Sequence, residues 1–124
     1  MINDTNPTGA SRVNLSELLT RVDNDRELLL ELISIFKEEF PGYVKSLEQA
    51  VVWKNLAEIA SVSHTLKGML SNLAVAKASA SAARLEQLAR AGDTASLRDA
   101  FAAFQRDVHG LLPEIESYMA EARP

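Results

Sequence analysis

The chain has 124 residues, 47% of them apolar and 24% charged, with a formal net charge of −4 and no cysteine. That is the length of one globular domain with an ordinary capacity for a core. It excludes a disulfide scaffold and thiolate chemistry, and the acidic balance argues against a nucleic-acid binder, which carries a basic stripe. Residues 1–12 hold Asn, Thr, Pro, Gly and Ser with little to bury, so they read as a flexible lead or linker before a domain over 13–122. Asn14 with Glu17 three residues on gives a capping signal, and Leu15, Leu18, Leu19 and Val22 continue it as a short helix. After the polar break at Asp23-Asn24-Asp25, apolar residues from Leu28 to Leu47 recur at steps of three and four, which predicts a long helix. Pro41-Gly42 should kink it, with the helix resuming to about Val52.

Asn55 and Glu58 repeat the capping pattern and open a third helix over about 56–74. An alanine-rich fourth helix follows over about 77–91, stopped by Gly92. Asp93 or Thr94 caps a fifth, which carries Leu97, Phe101, Phe104, Val108, Ile115 and Met119 and should kink at Pro113. No segment alternates in the manner of a strand. The expected fold is all-α: an antiparallel up-down four-helix bundle with a short extra N-terminal helix.

The third helix is the informative one. On a helical wheel, Ile59, Val62, Leu66, Met69, Leu70 and Leu73 form one broad apolar stripe, so that side faces the core. His64 lies opposite and must point outward. Its neighbours on that face are Ala57, Ala60, Ser61, Lys67, Gly68 and Ser71. Apart from His64 and Lys67 every one is small, whereas an ordinary exposed face carries long polar side chains. A glycine inside a helix costs about 1 kcal/mol relative to alanine, and such a cost points to the close approach of another body. The reading is a docking face of Ala57, Ala60, Ser61, Gly68 and Ser71 around a reactive histidine. An exposed imidazole titrates near pH 6.5, so at neutral pH one ring nitrogen is free to attack. Lys67, three residues on, is its surface neighbour and can steady negative charge on a phosphoryl group that the histidine carries.

These residues resemble a known family. The stretch His64-Thr65-Leu66-Lys67-Gly68 is similar to the signature of histidine phosphotransfer domains of bacterial two-component phosphorelays. Asn72-Leu73, Leu85-Glu86, Ala89-Arg90, Gly92-Asp93, and Phe36 with Phe40 before Pro41 extend the similarity over roughly 15–119. The resemblance implies that His64 accepts a phosphoryl group from the aspartyl phosphate of a response-regulator receiver domain and passes it to another receiver. It implies that Lys67 supports that group and that Gly68 leaves room for the receiver. It implies that magnesium belongs to the receiver, so neither a cofactor nor a metal is expected on this chain. Two positions depart from the family pattern: Met69 stands where a small residue is common, and Ala74-Val75 where Gly-Ala is common.

No glycine-rich phosphate loop is present, so there is no ATP site and no autonomous kinase activity. The chain is then either a free-standing relay protein or the tail of a hybrid sensor kinase. His109 lacks any supporting pattern and reads as a plain structural or surface histidine. No apolar run approaches the roughly 20 residues of a membrane span, and the first residues lack the features of a secretory signal. A cytoplasmic monomer without membrane contact is expected. The alternative function is an adaptor that binds a receiver or another signalling protein on the same face without carrying phosphate.

Overall fold

The computed structural model describes residues 13–122. The lead expected over residues 1–12 lies outside them. Six helices follow in order: α1 (Leu15–Arg21), α2 (Arg26–Val52), α3 (Leu56–Asn72), α4 (Ala76–Ala91), α5 (Thr94–Val108) and α6 (Leu111–Ala122), with no strand among the described residues. The architecture is a helical bundle with an extra N-terminal helix. Neighbouring walls run α2–α3–α4–α5, and α5 and α6 together close the bundle against α2. Cross-helix bonds set the direction of packing. Ser71 pairs with Ser79 and His64 with Glu86, so α3 and α4 are antiparallel.

The capping signals act as the sequence suggested. Asn14, Asp25, Asn55 and Asp93 each accept a backbone N–H two or three residues into the next helix, satisfying donors that a helix start leaves without partners. At the other ends, α1 through α4 close with the same pair of backbone bonds. The first residue past the cap bonds three residues back and the second bonds five back, as in Ala74 N–H to Ser71 O and Val75 N–H to Leu70 O. This is the Schellman arrangement, and it needs a left-handed residue. Asp23 (φ 53°), Lys54 (φ 54°), Ala74 (φ 58°) and Gly92 (φ 74°) fill that place.

The long helix α2 passes through Pro41 without interruption. Leu29, Ile33, Phe36, Phe40 and Leu47 anchor it in the core on both sides of the proline, and the Phe36 and Phe40 rings stack with centroids 4.6 Å apart. Each such side chain contributes about 1.5–3 kcal/mol by leaving water. Two expected boundaries are corrected. The third helix ends at Asn72 rather than near residue 74, because Ala74 turns left-handed. The fifth helix is not one rod kinked at Pro113 but two, α5 and α6, parted at His109-Gly110. A proline ring clashes with the carbonyl four residues before it, which for Pro113 is that of His109. The chain turns extended at His109 and left-handed at Gly110 (φ 78°). Pro113 then sits in the first turn of α6, where a missing N–H costs nothing.

Alanine decides how closely α3 and α4 approach. Ala78, Ala82 and Ala89 are buried on α4, as is Ala60 on α3. With little side chain between the backbones, the polar groups at the helix edges can meet across the seam. Ser79 donates to Lys67 O at 3.1 Å and lies 2.6 Å from Ser71 Oγ.

Candidate functional site

The wheel argument for α3 holds in three dimensions. Ile59, Leu66 and Leu70 are fully buried, Val62 and Leu73 nearly so, and Met69 is half-buried against the core, while the His64 side chain is 62% exposed. Ala57, Ser61, Gly68 and Ser71 are exposed, Lys67 is half-buried, and Ala60 is buried. His64 lines an open depression with Leu56, Ala57, Ala60, Ser61 and Arg90. Ala60 is thus part of its floor rather than of its rim. Ser71 stands outside that depression, with its hydroxyl bonded to Ser79. A Cβ added to Gly68 would meet nothing within 4 Å. The bundle itself therefore gives no steric reason for glycine at this position.

The group that organises the site comes from α4. Glu86 is buried, 8% exposed. Its Oε2 lies 3.0 Å from His64 Nδ1 and accepts from Arg90 Nε at 3.0 Å and Arg90 Nη2 at 2.8 Å. Its Oε1 lies 3.0 Å from Lys67 Nζ. Burial alone would raise the Glu86 pKa, since a carboxylate loses hydration there. The hydrogen bonds from Lys67 and Arg90, the Lys67 charge and the bond from His64 outweigh it and hold the group at about 2, below the ordinary 4.5. At neutral pH Glu86 is ionised and can only accept hydrogen bonds.

That fixes the imidazole. A neutral His64 bonded to a carboxylate must carry its proton on Nδ1, which leaves the Nε2 lone pair unprotonated. With the ring mostly exposed, Nε2 is the nitrogen available to a reagent from outside. Lys67 and Arg90 are the two cations bonded to this anchor, one at each carboxylate oxygen, and Arg90 lines the depression with His64. His109 is exposed at the end of α5, away from these residues. Among the described residues no group of three or more His, Cys, Asp or Glu side chains could hold a metal ion, and no helix is long and apolar enough to cross a membrane.

Sequence reasoning put forward His64, Lys67 and Gly68 as site residues; it quoted Glu86 and Arg90 only for the family resemblance and gave them no place beside His64. One signal was available: a Glu and an Arg four residues apart on a helix otherwise dominated by alanine. Their facing His64 depends on the α3–α4 register, which no local pattern reveals.

The model of the Hpt domain family matches residues 31–122, well over half of the chain. The chain therefore belongs to the Hpt domain family, whose members carry out histidine phosphotransfer in phosphorelays and interact with response-regulator receiver domains. A search of curated proteins returned no match, and neither did a search of solved structures.

Proposed function

We propose that this domain is a phosphorelay intermediate in which His64 Nε2 takes a phosphoryl group from the aspartyl phosphate of one receiver and gives it to the aspartate of another. The observation that carries this reading is the Glu86 bond to Nδ1 of an exposed imidazole, which leaves Nε2 as the nucleophile. As Nε2 attacks phosphorus, the N–P bond forms and the bond from phosphorus to the aspartyl oxygen breaks. The receiver keeps its carboxylate as leaving group. The ring, still protonated on Nδ1, gains positive charge, and the Glu86 carboxylate stabilises it. Lys67 and Arg90 neutralise part of the charge on the transferred oxygens. Phosphoryl transfer asks a protein for positioning and charge stabilisation more than for further chemistry.

Ala57, Ala60, Ser61, Gly68 and Ser71 keep the approach clear of bulk. Magnesium comes with the receiver, and the domain works as a monomer in the cytoplasm. The test is to incubate the chain with phosphorylated receivers and follow the label. The wild type should become labelled and His64→Gln should not, while both keep the same helical circular dichroism. Lys67→Ala should slow transfer by about tenfold or more, the scale set by loss of one charge-stabilising donor. Label retained by His64→Gln would overturn the proposal. So would a wild type that binds receivers yet never carries phosphate, which is the behaviour of an adaptor.

A further inference from the structure

The most exposed large apolar side chains among the described residues lie at the α2–α3 turn. Val52 is 69% exposed and Trp53 80%. Trp53 is the chain's only tryptophan, and neither the core nor the His64 depression includes it. An indole in water forfeits a large hydrophobic gain, and tryptophan is among the residues that most often anchor protein interfaces.

Beside Trp53 lies a depression of about 280 Å³, lined also by Ser46, Gln49 and Ala50 of α2, the cap Asn55, and Glu58 of α3. Sites for small-molecule ligands usually enclose about 300–1,000 Å³, so this one suits a single side chain. Its walls favour a cation. Glu58 is the lining's one charged residue, while Lys45 and Lys54, near in sequence, do not line it. Ser46, Gln49 and Asn55 offer oxygens, and the indole presents the negative face of its π system. The last turn of α2 carries no basic residue, so no side chain within that helix offsets the negative end of its dipole. Among the described residues, Glu58 has no salt-bridge partner and no cation stacks on Trp53.

A partner for these walls brings positive charge and a flat face together. Arginine has both, since its planar guanidinium stacks on aromatic rings and forks to carboxylates. We propose that the Trp53 depression binds an arginine side chain from a basic segment of another protein, stacked on the indole and bonded to Glu58. The site is separate from the phosphoryl acceptor. His64 lies nine residues beyond Asn55, about 14 Å along α3. Glu58 and His64 point about 120° apart around that helix. A segment held at Trp53 therefore meets α3 on a different side from the imidazole.

The experiment titrates the full chain, isotope-labelled, with acetyl-Gly-Arg-Gly-amide and with the citrulline peptide of the same shape, which lacks the charge. The Trp53 indole N–H and the Asn55 and Glu58 amides report binding by nuclear magnetic resonance. The arginine peptide should move these signals saturably. The citrulline peptide should bind at least about fivefold more weakly, the scale of one exposed cation–π contact. Glu58→Gln should weaken the arginine peptide about threefold, and Trp53→Leu, which stays apolar but lacks the indole, about fivefold. Both positions are exposed, so the variants should keep the wild-type helical circular dichroism. His64→Gln should bind the peptide as the wild type does, which separates this proposal from the phosphorelay reading. Equal binding of the two peptides would overturn the proposal, as would wild-type affinity in both Glu58→Gln and Trp53→Leu. Signals that do not move with the arginine peptide would overturn it too. Concentration-dependent association of the wild type that Trp53→Leu abolishes would assign the depression to a second copy of the chain, against the proposal.

Discussion

Two opposing influences meet at the Glu86 carboxyl. Burial disfavours its charge, while Lys67, Arg90 and His64 favour it and prevail. The folded protein therefore releases this proton more readily than the unfolded chain does. The resulting stabilisation is complete above about pH 4.5 and is lost as pH falls to about 2. In urea titrations across this range, wild type should exceed Glu86→Gln in stability at pH 6, and the gap should close as the solution is acidified. A gap that widened toward pH 2 would contradict the assignment. The same residue marks the limit of the sequence at this scale. The outward turn of His64 could be read from the apolar stripe on its own helix, and Lys67 followed from being three residues away. Glu86 could not be read in that way, because its partners sit on a different helix and only packing brings them within 3.0 Å.

Helix boundaries were legible wherever a side chain enforces them. Asn14, Asn55 and Asp93 all cap at the positions that their chemistry suggested, and Gly92, with no side chain, stops α4 through its left-handed backbone. Boundaries set by backbone strain were less visible. Ala74 occupies the place where the resemblance led one to look for glycine, and it keeps the left-handed geometry that glycine would adopt freely. An L-residue there costs about 1–2 kcal/mol, partly offset because glycine has more freedom to lose on folding. Ala74→Gly should therefore stabilise the domain by about 0.5–1 kcal/mol and raise the melting temperature by a few degrees, measured by thermal unfolding. Val75, the next residue, forms no side-chain cap for α4. It is 1% exposed, so its contribution is core burial in place of a hydrogen bond. The proline signal in the last third of the chain was read as a kink at Pro113, whereas the steric conflict acts four residues earlier and separates two helices.

In the molecule as a whole, the groups around His64 all belong to α3 and α4, and their close seam carries the site. The remaining helices form the walls that hold this pair. An all-α bundle could be anticipated from periodicity alone, because four apolar stripes of helical spacing need one another for burial. That the last wall is built from two helices could not, since the stripe runs on through both. Together α5 and α6 hold as many residues as α2, so the opening at His109-Gly110 leaves the bundle closed along its length. Asp107, just before that opening, meets Lys77 and Ser81 in the first half of α4, about two and a half turns and one and a half turns from Glu86. The opening therefore offers a splice point remote from His64 and Glu86. A flexible insert of about ten glycine and serine residues between His109 and Gly110 should cost about 1 kcal/mol in loop entropy and leave the rate of labelling at His64 unaltered. A reporter dye or affinity tag attached there would follow the domain through a phosphorelay without obstructing it.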